Sequence, residues 1–435
     1  MTDINLKDIK HVHCIGIGGI GVSAIARYMI HEGKTVSSSD IGKSTITEGM
    51  EELGIKVNFG HSKENIPPET NLVVYTTALP EDNPELVFAR ENNLLTLTYA
   101  ETLGLISKDK KTVAIAGTHG KTTTTAMIGK ILLDCGLHPT VIVGSLLKEY
   151  KSNFVPGTKD KGDDIFVVEA CEYKKALLQI KPNIAVITNI DEDHMDVYKD
   201  LDEIKETFEK FTSHMTKEDH LVCHCDQSNL KTLCSKESTN IHNVDENKID
   251  IEVSIPGEHN KENARLAYEV AKILGCEDQK IRASLKNFTG TWRRFEYKGV
   301  TKNGAIVYDD YAHHPEAIRA TLDAAREAFP DKKIFILFQP HLFSRTKTFL
   351  KEFVRFLALA DEVGLLPIYA AREIKDSSIS SEQIVELLKE NGVNSHMFDT
   401  FNEASSYVVK NTDKNNVIFT IGAGNINEIG DSIIV

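Results

Sequence analysis

The segment Gly117–Thr123, Gly-Thr-His-Gly-Lys-Thr-Thr, has residues suited to holding the phosphates of a nucleotide. It lies between an apolar run and a helical pattern, so its backbone N–H groups can meet phosphate oxygens at a helix N-terminus. Lys121 can reach the β- and γ-phosphates, and the Thr122 hydroxyl can bind Mg²⁺. Ile115 stands where the general P-loop pattern has its first glycine, so the loop is a shortened form. We predict ATP contacts from Gly117, Thr118, His119, Gly120, Lys121, Thr122 and Thr123.

A second glycine-rich loop, Gly16–Gly21, fits the pattern G-x-G-x-x-G between a strand-like run and a helical pattern. Its glycines Gly16, Gly18, Gly19 and Gly21 permit a tight turn and let the backbone approach a diphosphate. Asp40 ends the next strand-like run, where an acid that contacts a ribose would stand. The residues alone indicate a dinucleotide-like ligand, of which NAD is the simplest example.

Acidic and imidazole groups follow two later strand-like runs. Glu169 comes directly after Ile165–Val168, and His194 follows Ile184–Thr188. Because the carboxyl ends of parallel strands share one edge of a sheet, both groups should lie near the phosphate loop. We predict a metal site beside the γ-phosphate made by Thr122, Glu169 and His194. Mg²⁺ prefers oxygen ligands, so His194 could act through a water molecule.

Several polar residues further along the chain could contact the substrates. Asn263, at the start of a helical pattern, could bond the edge of adenine. Arg293 or Arg294 could swing onto the γ-phosphate as a last domain closes. His341 and Arg345, four residues apart, are predicted to share a helix face and clamp a small carboxylate.

These residues are positioned by short β-branched runs that alternate with amphipathic stretches, which predicts an α/β fold with parallel strands. Helical patterns over Gly21–His31 and Lys121–Cys135 end near Gly33 and Gly136, which can adopt the left-handed capping conformation. The predicted strands are His11–Ile15, Thr35–Ser39, Leu72–Thr76, Val113–Ala116, Ile165–Val168, Ile184–Thr188, Ala305–Tyr308, Ile334–Phe338 and Val417–Ile421.

The length of 435 residues predicts about three domains. Polar or turn-rich links near 107–111 and 290–304 place them at 1–108, 109–290 and 291–435. The formal charge of −14, with no basic segment, argues against a nucleic-acid or anionic-membrane surface. The start of the chain lacks a signal-peptide core, and no apolar run is long enough to span a membrane. We therefore expect a cytoplasmic protein.

The seven cysteines have no disulfide-framework spacing, which predicts reduced thiols. The segment His220–Cys225, with Cys234 nearby, superficially suggests a zinc site. Its spacing matches no zinc motif, and its residues alternate as in a strand, so we predict an ordinary half-buried strand.

Taken together and in this order, the motifs resemble those of the Mur ligases, from Val12 to about Gly424. The segments that carry the resemblance are Gly16–Gly21, Gly117–Thr123, Glu169–Tyr173, Thr188–His194, His259–Asn263, Arg293–Glu296, Asp309–Pro315, Gln339–Thr346 and Gly422–Asn425. The resemblance implies an N-terminal Rossmann-like domain that binds a UDP-sugar, a central P-loop ATPase-like parallel-sheet domain that binds ATP, and a C-terminal Rossmann-like domain that binds the amino acid.

The implied activity is ATP-dependent joining of L-alanine to the lactyl carboxylate of UDP-N-acetylmuramate, through an acyl phosphate. This is a step in peptidoglycan precursor synthesis and so in cell wall biogenesis, cell shape, cell division and the cell cycle. The resemblance implies that the protein binds these small molecules and Mg²⁺, and that it binds neither nucleic acid nor a membrane. It also implies that the protein is a monomer or a homodimer. The resemblance implies that the catalytic residues are Lys121, Glu169, His194 and Arg294. It implies that ATP is contacted by Asn263, Arg294 and Asp310, and that the UDP-sugar is contacted by Asp40, His61, Thr76 and Thr77. The amino acid would be surrounded by Tyr311, His313, His341 and Arg345.

Three alternatives stay open from the sequence. A sister ligase that joins a murein tripeptide to UDP-N-acetylmuramate shares these motifs. An NAD-dependent oxidoreductase rests on Gly16–Gly21 alone and leaves Lys121 without a role. A non-catalytic nucleotide sensor would not need the polar clusters at the strand ends.

Overall fold

The computed structural model describes residues 4–158, 164–195, 197–235, 239–246, 248–371 and 373–435. Three mostly parallel sheets with flanking helices confirm the α/β class and the three-domain architecture. By their contacts, the described residues form two compact units, one from those within Met1–Glu252 and Glu262–Phe288 and the other from those within Val253–Lys261 and Thr289–Val435. The domain boundaries at 108/109 and 290/291 remain predictions.

The first sheet has five parallel strands in the order β3-β2-β1-β4-β5. Its strand order reverses between β1 and β4, and in such sheets ligands bind outside the carboxyl ends at this point. The apolar face of α1 packs on the sheet through Val22, Ile25 and Met29. The strands are β1 His11–Ile15, β2 Thr35–Asp40, β3 Val57–Phe59, β4 Leu72–Tyr75 and β5 Leu95–Thr98, and the helices are α1 Ile20–His31, α2 Thr45–Glu52, α3 Pro84–Glu91 and α4 Tyr99–Ser107.

The second sheet has seven strands in the order β12-β11-β10-β6-β9-β7-β8, in which only β8 is antiparallel to its neighbour. Its three central strands are buried along nearly their whole length, as is typical of parallel strands in a sheet that is covered on both faces. The strands are β6 Lys111–Ala116, β7 Thr140–Leu147, β8 Ser152–Val155, β9 Ile165–Glu169, β10 Ile184–Ile187, β11 His220–Cys223 and β12 Asn240–Asn243. The helices that follow β6 to β12 in the chain are α5 Lys121–Asp134, α6 Leu201–Thr212, α7 Lys231–Cys234, α8 Glu258–Ile273 and α9 Asp278–Lys286.

The third sheet has six strands in the order β13-β14-β18-β15-β16-β17, with β13 antiparallel to β14. The strands are β13 Glu296–Val300, β14 Ile306–Asp310, β15 Lys333–Phe338, β16 Glu362–Leu365, β17 Asn394–Met397 and β18 Asn416–Ile421. The helices are α10 Pro315–Ala328, α11 Phe343–Thr348, α12 Leu350–Leu357, α13 Ser381–Glu390, α14 Phe401–Asn411 and α15 Asn427–Ile433. None of the described helices of the chain is both long and apolar enough to cross a membrane.

All the predicted strands are present, with ends displaced by at most two residues. The helix predicted over Gly21–His31 begins one residue earlier, and the one predicted over Lys121–Cys135 ends one residue earlier. Gly33 and Gly136 follow these helices with φ of +75° and +84°, the predicted left-handed conformation.

The prediction that every cysteine is a reduced thiol is wrong for Cys225 and Cys234, which form a disulfide. The sequence did not reveal this pairing because it depends on how the chain turns after β11. A 3-10 turn and α7 bring the chain back, so the two Cα atoms lie 5.8 Å apart. The predicted strand at His220–Cys225 is present as β11, and it ends at Cys223.

Candidate active site

The loop between β6 and α5 has the backbone geometry of a phosphate cradle. Gly117 and Gly120 have φ of +132° and +84°, and a Cβ on either would collide with Thr188 or Asn263. The loop is held by the segment after β10, because the His119 N–H donates to Asn189 Oδ1 at 2.8 Å. The N–H groups in the first turn of α5 point along the helix axis, an arrangement suited to binding a phosphate group.

The side chain of Lys121, at the start of α5, is 12% exposed and is held by a carboxylate. Its Nζ lies 2.9 Å from Glu172 Oε2 and also donates to the carbonyl oxygens of Gly117 and Thr118. Burial opposes the charged form, but the negative charge of Glu172 and its neighbours outweighs it and raises the pKa of Lys121. The ammonium is therefore charged at any physiological pH and lies beside the phosphate cradle.

Two oxygen-rich groups lie next to this lysine. Thr122 Oγ1 is 3.0 Å from Glu169 Oε2, and the same carboxylate oxygen accepts the Gly144 N–H at 2.8 Å. His194 Nε2 is 3.6 Å from Glu172 Oε1. A hydroxyl with carboxylates is the donor set that Mg²⁺ favours, so the residues present fit this ion. The predicted convergence of Thr122, Glu169 and His194 on the phosphate loop is present.

Asn263 lies on α8, where its side chain stands directly against Gly120. This contact explains why position 120 has no side chain, and it places the Asn263 amide at the edge of the phosphate loop. The contact of Asn263 with the edge of adenine stays a prediction.

The glycine loop Gly16–Gly21 joins β1 to α1 and has a second cradle geometry. Gly16 has φ of +79°, and a Cβ there would lie 2.6 Å from Thr76 Cγ2. The N–H of Gly18 donates to Asp40 Oδ2 at 2.7 Å. Asp40 thus lies against the loop itself, and Thr76 borders it at the end of β4. The carbonyl of Thr77 accepts a hydrogen bond from Lys174 Nζ at 2.9 Å.

His61 is positioned by Glu85, a buried residue that the sequence analysis did not select. The carboxylate of Glu85 accepts five hydrogen bonds. Burial would raise the pKa of Glu85, but these hydrogen bonds outweigh it and lower the pKa to about 2. The donors are His13 Nε2, Ser39 Oγ, His61 Nδ1, the Ser62 N–H and Asn65 Nδ2.

Replacing Glu85 with glutamine is expected to lower the free energy of unfolding at pH 7 by about 2–3 kcal/mol. A lowered pKa stabilises the folded protein above the ordinary pKa of glutamic acid, and that contribution is lost as the pH falls towards 2. The gap between Glu85→Gln and the unsubstituted protein should therefore narrow below about pH 4 in urea unfolding curves. Glu69→Gln, an exposed change nearby, is the control. A gap that stays constant down to pH 3 contradicts this role.

In the C-terminal unit, the structure brings five sequence-predicted residues from three separate segments into one row. The Arg294 guanidinium lies 5.3 Å from the Tyr311 ring centroid, and Tyr311 lies 5.4 Å from the His313 ring. The His313 ring is 5.9 Å from that of His341. His341 Nδ1 is 3.3 Å from Arg345 Nη1, which extends the row to a second guanidinium.

The prediction that His341 and Arg345 share a helix face is wrong in detail. Helix α11 begins at Phe343, because Leu342 has φ of +71°, which helical backbone does not allow. His341 precedes the helix and stacks on Tyr369 instead. The two side chains still meet, one from a turn and one from a helix, and the clamping of a carboxylate by them stays a prediction.

The adjacent arginines Arg293 and Arg294 have different environments. Arg293 is buried, donates to Asp309 Oδ2 at 2.8 Å, and donates to the carbonyl oxygens of Gly422 and Gly424. Arg294 is half-buried against Tyr311. Arg293 therefore links the end of β14 to the segment after β18. Arg294 is the more exposed of the two arginines and is the one better placed to bind a ligand.

Asp310 is also tied to the backbone, since its two oxygens accept the N–H groups of Phe295 and Ala312, each at 2.8 Å. Burial raises the pKa of Asp310, and Arg294 partly offsets this effect.

The sequence prediction also missed Glu172, which pairs with Lys121. Its position could have identified it, because Glu172 comes three residues after Glu169, at the end of the same strand.

Comparisons with known protein families agree with this arrangement. Residues 11–111 match the model "Mur ligase family, catalytic domain", residues 115–239 match "Mur ligase middle domain", and residues 293–424 match "Mur ligase, glutamate ligase domain". Each matched region contains one of the three sheets, with most or all of its strands.

Relatives are similar over almost the whole chain. The chain is 42% identical to UDP-N-acetylmuramate–L-alanine ligase of Caldicellulosiruptor bescii, covering 97% of each sequence. It is 39% identical to the protein of the same name from Clostridium acetobutylicum, covering 98% of this chain and 97% of that one. The crystal structure of UDP-N-acetylmuramate–alanine ligase from Thermotoga maritima matches with a TM-score of 0.83 at 28% identity over 98% of both chains. The chain belongs to the Mur ligase family.

Proposed function

We propose that the protein joins L-alanine to the lactyl carboxylate of UDP-N-acetylmuramate at the expense of ATP. The observation that carries this proposal is the cluster of Lys121, Thr122, Glu169, Glu172 and His194 around a glycine cradle. The shared name of full-length relatives at 38–42% identity supports the choice of substrates.

A carboxylate must be activated before an amine can displace its oxygen. The γ-phosphoryl group of ATP is transferred to a lactyl carboxylate oxygen, so the bond to ADP breaks and an acyl phosphate forms. The amine of alanine then attacks the acyl carbon, and inorganic phosphate leaves as the amide forms. Catalysis of phosphoryl transfer consists mainly of positioning and charge stabilisation, which is what the residues of this cluster supply.

Lys121 neutralises negative charge on the phosphoryl group during its transfer. Its ammonium lies against Glu172 and two carbonyl oxygens, and phosphate oxygens in the cradle compete for the same three N–H donors. Thr122 and Glu169 would hold one Mg²⁺, and Glu172 with His194 would hold a second. Bound Mg²⁺ supplies further neutralisation of phosphate charge.

The remaining residues orient the other reaction components. Gly16–Gly21 receives the diphosphate of the UDP-sugar, with Asp40, His61, Thr76 and Thr77 around it. Asn263 and Asp310 contact the adenosine of ATP, and Arg294 contacts the phosphoryl group. Tyr311, His313, His341 and Arg345 surround the amino acid, whose carboxylate suits the guanidinium of Arg345.

The same proposal includes the setting of the enzyme. The three domains comprise residues 1–108, 109–290 and 291–435 and bind the UDP-sugar, ATP and alanine respectively. The enzyme acts in the cytoplasm as a monomer or homodimer, in peptidoglycan precursor synthesis, and needs Mg²⁺.

The test is release of inorganic phosphate from ATP by the purified chain. We expect release only when both UDP-N-acetylmuramate and L-alanine are present, and none after chelation of Mg²⁺. Glycine, L-serine and a murein tripeptide are the comparison amines. Equal release without the sugar nucleotide contradicts the proposal, and a preference for the tripeptide indicates the sister ligase instead.

A further inference from the structure

Three cysteine side chains converge at the carboxyl end of β11. The Cys223 Sγ lies 3.5 Å from the Cys225 Sγ and 3.2 Å from the Cys234 Sγ, and Cys225 and Cys234 are joined by a disulfide. Cys223 is buried, whereas the other two are half-buried. The reaction proposed above uses none of these sulfurs, although Cys223 lies on β11, in the sheet that carries the phosphate loop.

We propose that Cys225 and Cys234 form a redox-modification site that exchanges between two thiols and a disulfide. Their Cα atoms, 5.8 Å apart, lie within the range that a disulfide spans without backbone movement. Their partial exposure lets a small thiol or disulfide reach the sulfurs. A cytoplasmic location, which is part of the proposed function, would make the bond subject to the cellular thiol pool.

The oxidant is a low-molecular-weight disulfide such as oxidised glutathione. The thiolate of one cysteine attacks it, forming a mixed disulfide and releasing one small thiol. The thiolate of the other cysteine attacks the protein sulfur of that mixed disulfide, which closes the Cys225–Cys234 bond and releases the second small thiol. The protein loses two electrons and two protons, and the oxidant gains both as its two thiols.

Cys223 takes no part in this exchange in spite of its closeness. Burial, with a smaller contribution from the carboxylate of Asp245, raises the pKa of Cys223 to about 12. Because the thiolate is the attacking form, Cys223 remains a buried thiol that packs as an apolar side chain of β11.

The loop closed by the disulfide contacts the segments around the phosphate cradle. Within this loop, Asn229 Nδ2 donates a hydrogen bond to the carbonyl oxygen of Ile190 at 2.8 Å. The next residue, Asp191, donates its N–H to the hydroxyl of Thr118 in the phosphate loop. His224 comes just before the disulfide loop, and its Nε2 is 3.4 Å from the carbonyl oxygen of Glu262, the residue before Asn263. Closing the bond restricts residues 225–234 and so holds Asn229 on Ile190. We infer that the disulfide form binds nucleotide more tightly.

The first experiment does not depend on activity. The full chain is equilibrated without oxygen in buffers of graded reduced and oxidised glutathione, its thiols are alkylated, and its peptides are identified by mass spectrometry. We expect a two-electron transition confined to Cys225 and Cys234, unchanged in the control Cys135→Ser and abolished in Cys225→Ser. Alkylation of both cysteines in every buffer, or a disulfide that uses Cys223, overturns the proposal.

The second experiment measures binding of the non-hydrolysable analogue AMPPNP with Mg²⁺ to the reduced and oxidised protein by calorimetry. The binding experiment depends on the proposed nucleotide site, whereas the mass-spectrometric analysis of the peptides does not. A failure of the proposed function can therefore be distinguished from a failure of the redox proposal. We expect a Kd about two- to fivefold lower for the oxidised form. Asn229→Ala should keep the disulfide and lose this difference. Equal Kd values for both forms of the unsubstituted protein overturn the coupling.

Discussion

Replacing Lys121 with alanine is expected to lower the rate of phosphate release by at least about 10³-fold. The side chain is the mostly buried cation at the phosphate cradle, and its raised pKa keeps it charged through the range in which the enzyme works. Removing it takes away charge neutralisation that its ion-pair partner, the acidic Glu172, cannot supply. The measurement is the steady-state rate with saturating UDP-N-acetylmuramate, L-alanine and ATP.

Lys130→Ala is the matched control, because Lys130 lies on the same helix and pairs with Asp134 and Glu149 away from the loop. It should keep nearly full activity. The circular dichroism spectrum of Lys121→Ala must match that of the unsubstituted protein, so that the loss is not due to unfolding. Turnover of Lys121→Ala within tenfold of normal would contradict the assignment of the phosphate loop.

Replacing Arg293 with methionine is expected to lower the free energy of unfolding of the C-terminal unit by about 3–5 kcal/mol. The guanidinium is buried, and its loss leaves Asp309 Oδ2 without its cationic partner and two carbonyl oxygens without the guanidinium donor, whereas Thr420 still donates to Asp309 Oδ1. Burial already raises the pKa of Asp309, and Arg293 opposes that effect. Without the arginine that pKa rises further, so the variant should lose more stability as the pH increases. Urea unfolding at pH 5 and pH 8 measures this difference.

The neighbouring substitution Arg294→Met separates folding from catalysis. Arg294 is half-buried against Tyr311, so its loss should change stability by less than about 1 kcal/mol. It should lower turnover by about 10²-fold, because the residue is assigned to the transferred phosphoryl group. The reverse pattern, with Arg294→Met unstable and Arg293→Met stable and inactive, would mean that the two arginines are wrongly assigned.

The parts of the site carried by short contiguous motifs could be predicted from the sequence. The loop Gly117–Thr123 and the loop Gly16–Gly21 are each defined by local backbone needs that glycine reveals. Strands were predictable because a strand covered on both faces is apolar along its whole length. Their carboxyl ends then placed Glu169 and His194 at one edge of the sheet.

The parts that depend on tertiary contacts could not be predicted. Glu85 looks like any helix N-terminal acid until β1, β2 and the loop at His61 surround it. Arg293 and Arg294 are identical in type, and only the positions of Asp309 and the β18 end distinguish them. The Cys225–Cys234 pair likewise depends on the turn after β11.

The most direct test of the proposed reaction follows the carboxylate oxygen. UDP-N-acetylmuramate labelled with ¹⁸O in its lactyl carboxylate is incubated with ATP, Mg²⁺, L-alanine and the enzyme, and the inorganic phosphate is analysed by mass spectrometry. An acyl phosphate is cleaved between carbon and oxygen when the amine attacks, so one labelled oxygen leaves with each phosphate. We expect one ¹⁸O per phosphate released and one remaining in the amide product. Unlabelled phosphate, or label recovered in AMP, would contradict activation of the carboxylate by γ-phosphoryl transfer.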